Sequence, residues 1–114
     1  MNYFEQRPWG NFENLLEEDY CKVKKITIFP NQSPSYQYHY RRSETWIIIN
    51  GYGELKLDDK LIKIKPKDVI EIPKLSKHQI MNTSSENLVF IEIQTGEYFG
   101  EDDIVRLDDK YGRI

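Results

Sequence analysis

The sequence has few of the features that mark secreted, membrane-spanning or nucleic-acid-binding proteins. Its single cysteine, Cys21, excludes an internal disulfide and suits a reducing cytoplasm. No apolar run approaches the roughly 20 residues of a membrane-spanning helix, and MNYFEQRPWG lacks the basic and then apolar pattern of a signal peptide. The 16 basic and 19 acidic residues give a net charge of -3, unlike the basic domains that bind nucleic acids. We therefore expect a cytoplasmic protein with neither a membrane nor a nucleic-acid partner.

Helical periodicity is also scarce, whereas short strand patterns recur along the chain. The segments with strand patterns are 21–29, 45–50, 54–57, 60–64, 68–73, 78–82 and 88–96. Asp58-Asp59 lies between two of them and predicts a hairpin turn. Only the tail, residues 101–114, has a pattern compatible with a helical turn. Many short strands without intervening helices predict an all-β sandwich or barrel, and the absence of a linker or repeat predicts one domain over residues 1–114.

Only two histidines are present, and each lies in a segment rich in other metal-ligand types. Gln37 and His39 alternate along a strand, so their side chains point to the same face. Glu44 follows on the next predicted strand, and in a barrel His78 would lie opposite His39. Two imidazoles, an amide oxygen and a carboxylate suit zinc, manganese, iron, cobalt or nickel, and the set does not choose among them.

A simpler interpretation of the same residues stays open from their spacing alone. Histidines in strands more often form hydrogen bonds than bind metal. Glu44 has Arg41 and Arg42 close by in sequence, and a surface ion pair with either would explain it without any metal.

The two histidine segments resemble the paired motifs of the cupin superfamily. The first family motif usually reads G-x5-H-x-H-x3-4-E-x6-G, and the second reads G-x5-P-x-G-x2-H-x3-N. Gln37 stands where the first histidine is usual, and Lys67 and Leu75 replace the glycines of the second motif. The residues that match are His39, Glu44, Gly51, Pro73, His78 and Asn82. The resemblance implies a double-stranded β-helix, or jelly-roll barrel, that binds a divalent metal ion through Gln37, His39, Glu44 and His78.

A narrower resemblance, to type II phosphomannose isomerases, covers nearly the whole chain. It rests on RPWGNF, PSYQYHYRRSETW, IPKLSKHQIMN and IEIQTGEYFGEDDIVRLDDKYGR, which occur in the family's order. Gln37 follows the pattern of this subfamily. The resemblance implies a metal-dependent isomerase that interconverts mannose 6-phosphate and fructose 6-phosphate through an enediol. Thr45 stands where the family often has histidine, so a different sugar phosphate stays open.

The family context also bears on domain organisation. In that family the cupin is commonly the C-terminal domain of a bifunctional mannose-1-phosphate guanylyltransferase. No counterpart of the guanylyltransferase is found in these residues, so we expect a free-standing cupin acting in GDP-mannose biosynthesis.

The expected isomerisation needs a cationic phosphate site and a base that moves a proton between two carbons. Arginine forks suit phosphate, and the candidates are Arg42, Arg106 and Arg113. Arg106 has an alternative role as the partner of Asp102 or Asp109. Glu101 is the candidate base, because it is close in sequence to the expected phosphate site; Asp102 and a lysine with a pKa lowered by burial stay open as alternatives.

Two further expectations concern partners and alternative functions. Tyr36, Tyr38 and Tyr40 alternate with Gln37 and His39 and should face away from the metal. Together with an apolar strand face too large for one small barrel, they predict a homodimer. The alternatives to an isomerase are a non-catalytic sugar-binding cupin accessory to polysaccharide synthesis and a metal-dependent small-molecule dioxygenase.

Overall fold

The computed structural model describes residues 3–112, which form eleven β-strands and no helix. No helix long and apolar enough to cross a membrane occurs in this range. The strands are β1 (Phe4–Arg7), β2 (Gly10–Glu17), β3 (Cys21–Ile28), β4 (Tyr36–Tyr38), β5 (Arg42–Asn50), β6 (Gly53–Leu57), β7 (Lys60–Ile64), β8 (Val69–Ile72), β9 (His78–Asn82), β10 (Leu88–Gly96) and β11 (Val105–Asp108). The predicted all-β architecture is confirmed.

The strands form two antiparallel sheets that enclose one interior. The six-stranded sheet has the order β1-β2-β3-β10-β5-β8, and the five-stranded sheet has the order β11-β4-β9-β6-β7. Strand β10 is central to the first sheet because it pairs with both β3 and β5. The sequence-distant segments that carry the two histidines are adjacent in the second sheet, where Gln37 on β4 lies opposite His78 on β9.

Two parts of the chain differ from the sequence-based expectation. The tail contains strand β11 rather than a helical turn, because its Val105–Asp108 segment pairs with the otherwise open edge of the short strand β4. The N-terminal segment, where the sequence patterns indicated no strand, forms a hairpin of β1 and β2 that extends the six-stranded sheet. The pairing partner of β11 is distant in sequence, whereas β1 and β2 pair locally and β2 pairs in turn with β3.

Left-handed backbone positions explain several turns. Asp58 and Asp59 have φ angles of 47° and 69°, as a two-residue type I′ hairpin between β6 and β7 requires, and the predicted turn is confirmed. Lys67 and Leu75, which replace the motif glycines, have φ angles of 79° and 70°. These two side chains therefore occupy backbone conformations that glycine adopts at lower cost.

The barrel interior is apolar at one end and polar at the other. Along three neighbouring strands, β3, β10 and β5, the inner residues change from apolar to polar, one row later on β5 than on the other two. From the apolar end, the cross-strand rows are Ile26–Phe90–Ile48, Lys24–Glu92–Trp46 and Lys22–Gln94–Glu44. The apolar end contains the main hydrophobic cluster, in which Ile28, Leu55 and Leu88 are fully buried. The polar end is therefore the end of the barrel at which the buried row Lys22–Gln94–Glu44 lies.

The three tyrosines around the first histidine contact residues outside the histidine group. The Tyr36 hydroxyl donates a 2.7 Å hydrogen bond to Asp59, and the rings of Tyr38 and Tyr40 meet edge to face with centroids 5.4 Å apart. This arrangement agrees with the predicted outward orientation of Tyr38 and Tyr40, whereas Tyr36 is buried within the chain itself.

Candidate metal and sugar-phosphate site

Two histidines and one carboxylate converge at the polar end of the barrel. One ligand atom from each of His39, Glu44 and His78 lies within 4.8 Å of the others, and all three residues are buried. The imidazole rings of His39 and His78 have centroids 5.1 Å apart, and Nε2 of His39 is 3.4 Å from Oε2 of Glu44. The structure thus brings together three of the four predicted ligands.

The hydrogen bonds around these histidines suit metal binding. Nδ1 of His39 is 2.6 Å from the backbone oxygen of Asp103, and Nδ1 of His78 is 2.9 Å from that of Ser76. A carbonyl oxygen only accepts, so each Nδ1 carries the proton and each Nε2 keeps its lone pair. Metal-binding histidines characteristically have such a partner on the second nitrogen. The donor set of two imidazole nitrogens and a carboxylate oxygen fits a divalent transition metal ion.

The electrostatics of the group favour the forms that bind metal. Burial lowers the pKa of His39 to about 4, so this imidazole is neutral at neutral pH. Burial alone would raise the pKa of Glu44. The neighbouring Arg42 guanidinium and the two histidines more than offset it, and the pKa lies well below its ordinary value. Glu44 is therefore an ionised carboxylate, and a metal ion would not have to displace a proton from it.

Gln37 stands beside this group, although no metal contact by it is established. It lies between His78 and Arg106 in the five-stranded sheet, opposite both across the strand pairs, and it lines the same cavity. Its role as the fourth ligand remains a prediction.

Arg42 forms a buried ion pair with the candidate metal ligand Glu44 and also approaches His39. Its Nε donates a 2.9 Å hydrogen bond to Oε2 of Glu44, and its Nη2 is 3.3 Å from Nε2 of His39. The ion pair expected as the simpler interpretation of Glu44 does exist, but it lies inside the barrel rather than at the surface. Within the described part of the chain, Nη1 of Arg42 is buried without a hydrogen-bond partner.

The other predicted functional residues divide between the cavity and the undescribed terminus. Arg106 and Glu101 both line the cavity that contains the His39, Glu44 and His78 group. Burial raises the pKa of Glu101, but the Lys24 ammonium more than offsets this, and the pKa lies below its ordinary value. The predicted phosphate ligand Arg113 lies outside the described residues.

Polar residues of the six-stranded sheet, which the sequence motifs did not indicate, face the same interior. The principal ones are Lys24, Glu92 and Gln94, which are all buried. Nε2 of Gln94 donates a 2.7 Å hydrogen bond to Glu92. Burial and the neighbouring Glu44 carboxylate raise the pKa of Glu92 to about 8, so it is protonated at neutral pH. The available signal was the alternation of Glu92 and Gln94 with Phe90 along β10, which places all three on one face.

The connection between β10 and β11, residues 97–104, crosses the polar end of the barrel. The Asp103 carboxylate accepts hydrogen bonds from the backbone nitrogens of Tyr40 and Arg41, at 3.0 and 2.9 Å. On the other side, Lys24 of β3 donates a hydrogen bond to the Glu101 carboxylate. The connection is therefore held to the β4–β5 turn at one end and to the six-stranded sheet at the other.

Comparisons with known proteins agree with this geometry. The family model described as mannose-6-phosphate isomerase C-terminal matches residues 2–109. The chain is 39% identical over 107 residues to the alginate biosynthesis protein AlgA of Pseudomonas aeruginosa, covering 94% of this chain and 22% of the relative. It is 34% identical over 108 residues to the mannose-1-phosphate guanylyltransferase of Escherichia coli, covering 95% and 23%. The chain thus spans less than a quarter of the length of these curated relatives.

Solved structures show the same fold at low sequence identity. The capsular polysaccharide assembling protein CapF of Staphylococcus aureus superposes with a TM-score of 0.80 at 20% identity, covering 95% of this chain and 33% of CapF. A cupin-2 domain protein of Rhodospirillum rubrum gives a TM-score of 0.76 at 16% identity, covering 90% and 78%. The predicted cupin fold is confirmed, and the chain belongs to the family of mannose-6-phosphate isomerase C-terminal cupin domains.

Proposed function

We propose that the protein is a metal-dependent sugar-phosphate isomerase that interconverts mannose 6-phosphate and fructose 6-phosphate. The observation that carries this proposal is the composition of one cavity. The His39, Glu44 and His78 group shares its walls with a carboxylate, Glu101, and a guanidinium group, Arg106. A metal site, a base and an anion-binding group are the three parts that this isomerisation requires.

The metal group supplies the electrostatic part of the reaction. A divalent ion held by His39, Glu44, His78 and Gln37 would polarise the sugar oxygens at C1 and C2. Neutral His39 and ionised Glu44 are already in the forms that bind metal. Zinc, manganese, iron, cobalt and nickel all remain compatible with these ligands.

Glu101 is the proposed base. Its carboxylate is ionised at neutral pH because its pKa lies below the ordinary value. In that form it can accept the proton from C2 of mannose 6-phosphate and return it to C1, while the hydroxyl proton of O2 passes to O1. The reverse reaction uses the same transfers. A positioned carboxylate of this kind is typically worth ~10²–10⁴-fold in rate.

Positively charged and polar groups account for phosphate recognition. Arg106 lies across the sheet from Gln37, so its position in the cavity is fixed by strand pairing. Two residues lining the cavity, Arg42 and Ser35, each carry a buried polar atom without a hydrogen-bond partner in the described structure, Nη1 and Oγ respectively. A phosphorylated sugar would satisfy such groups. Arg113 is proposed as a further phosphate ligand on the family resemblance alone.

The test measures both the formation of mannose 6-phosphate and the incorporation of deuterium from solvent. Metal-loaded protein is incubated with fructose 6-phosphate in deuterium oxide, and mannose 6-phosphate is analysed by NMR. Product with deuterium at C2 supports an enediol route, while Glu101→Gln should lose turnover and keep bound metal. Sugar binding without turnover would instead indicate a non-catalytic accessory cupin. Substrate-dependent oxygen uptake would indicate a dioxygenase.

The proposal extends to a cytoplasmic homodimer. The outer face of the six-stranded sheet carries neighbouring apolar residues, among which Val69 lies opposite Ile47 and is 62% exposed. On the same strand as Ile47, Ile49 is 52% exposed. A second copy of the chain packed against this face would cover these side chains.

A further inference from the structure

Lys24 is a buried charged residue that the proposed isomerisation does not use. It lies on the inner face of β3, and only 4% of its side chain is exposed. Its ammonium lies 4.1 Å from the centroid of the Phe12 ring, which provides a cation–π contact. Across the sheet it lies opposite Glu92, but its ion pair is with Glu101. A cation fixed in this way inside a cavity requires an anionic partner.

The partner that the structure provides comes from the edge of the cavity. The Glu101 carboxylate accepts a hydrogen bond from Nζ of Lys24, yet 43% of the Glu101 side chain is exposed. Glu101 belongs to the connection that crosses the barrel end, whereas Lys24 belongs to the central sheet. The pair therefore joins a buried, fixed cation to a carboxylate that reaches it from the solvent side.

We propose that Lys24 is an anion-binding residue of the cavity and that Glu101 is the counter-ion which the ligand's phosphate group displaces. Two other cations of the cavity are engaged differently. Arg42 is bonded to the candidate metal ligand Glu44, and Arg7 forms an ion pair with Glu5 at 2.5 Å. The carboxylate partner of Lys24 is 43% exposed, so an incoming phosphate can reach this pair from the solvent.

Displacement would also link binding to chemistry. A phosphate bound by Lys24 would release the Glu101 carboxylate from its ion pair and leave it available for proton transfer. This link rests on the proposed function, which supplies the identity of the anion as a sugar phosphate. The assignment of Lys24 itself rests on burial, contacts and charge.

The test is the binding of inorganic phosphate, measured by isothermal titration calorimetry at pH 7 and low salt. Glu101→Gln removes the competing charge, so phosphate should bind about twofold to fivefold more tightly than to the unaltered protein. Lys24→Met should weaken binding by about tenfold or more, and Lys24→Arg should restore most of the loss. The titrations are repeated in chelator, so that phosphate bound to a metal ion is distinguished.

Matched controls come from the same two segments. Lys25→Met alters the exposed neighbour of Lys24 on the opposite face of β3, and Glu97→Gln alters an exposed carboxylate of the same connection. Both should bind phosphate as the unaltered protein does, apart from a small long-range charge effect. Circular dichroism checks that each variant folds. Phosphate binding by Glu101→Gln tests the proposal even if Lys24→Met does not fold.

Three outcomes would overturn the inference. They are weaker or unchanged phosphate binding by Glu101→Gln, equal binding by the Lys24→Met and Lys25→Met variants, and no binding by the unaltered protein up to about 50 mM phosphate. Isomerase assays separate this inference from the proposed function. If the protein shows no turnover but the variants bind phosphate as expected, the isomerase function is refuted and the anion-binding role of Lys24 is supported. If Lys24→Met turns over fructose 6-phosphate with an unchanged KM, the isomerase function is supported and the anion-binding role of Lys24 is refuted.

Discussion

Replacing Glu92 with glutamine should increase the free energy of unfolding above neutral pH and leave it almost unchanged near pH 4. In the folded protein, burial and the Glu44 carboxylate raise the pKa of Glu92 to about 8 from a reference value of 4.5. Between these two values the unfolded chain releases the proton while the folded chain retains it. The native state therefore loses stability as pH rises through this range.

The magnitude follows from the same two values. Each pH unit between 4.5 and about 8 lowers the free energy of unfolding by at most about 1.4 kcal/mol, which sets an upper limit of about 5 kcal/mol. Glu92 and Glu44 share a side-chain hydrogen bond, so part of the titration belongs to the pair. We expect glutamine, which has the shape of the protonated acid and cannot ionise, to stabilise the fold by about 2 kcal/mol at pH 8.5.

The assay is urea unfolding in chelator-containing buffer at pH 4.5, 6.5 and 8.5, followed by tryptophan fluorescence. Glu71→Gln is the matched control, because Glu71 lies on β8 with its carboxylate accepting a 3.0 Å hydrogen bond from the exposed Thr45 hydroxyl. It should shift stability little at any pH. A Glu92→Gln stabilisation that is the same at pH 4.5 and 8.5 would refute the account of a buried, protonated carboxyl.

Three further predictions test the turns, the metal group and the outer sheet face. Lys67→Gly should raise the free energy of unfolding by about 0.5–1 kcal/mol, because φ at this position is 79° and glycine adopts that conformation at lower cost. Urea unfolding measures the change, and a destabilised variant would contradict the reasoning. His78→Asn should weaken binding of zinc or manganese by at least about 100-fold in calorimetry while the circular dichroism spectrum is kept; undiminished binding would exclude His78 as a ligand. Val69→Asp should convert a dimer to monomers in analytical ultracentrifugation, because it places a charge on the exposed apolar sheet face, and a dimer that persists would place the interface elsewhere.

The sequence predicted well those features that are recorded locally. Strand patterns located β6, β7, β9 and β10 closely, and Asp58-Asp59 indicated its hairpin because aspartate tolerates left-handed backbone. The spacing of His39 and Glu44 also indicated members of one buried group, because both lie on inward-facing positions near one turn. These features depend on neighbours within a few residues of the chain.

Features that depend on distant pairing were harder to predict. On β10, the residues Val89, Ile91 and Ile93 form a more apolar face than Glu92 and Gln94 do, which suggests an inward orientation for the isoleucines. The structure buries the face with Glu92 and Gln94, because their neighbours across the sheet are Lys24 and Glu44. Strand β11 was missed because its partner β4 lies far away in sequence. Strands β1 and β2 form a local hairpin, and they were missed because their sequences contain no β-branched residue.

The most direct measurement is metal content and fructose 6-phosphate turnover on one and the same sample. The account predicts about one equivalent of divalent metal per chain, loss of turnover on chelation and its return when metal is added back. It also predicts that His78→Asn lacks both metal and turnover. A metal-free protein that converts fructose 6-phosphate to mannose 6-phosphate at an undiminished rate would contradict the account, as would a metal-replete protein without turnover.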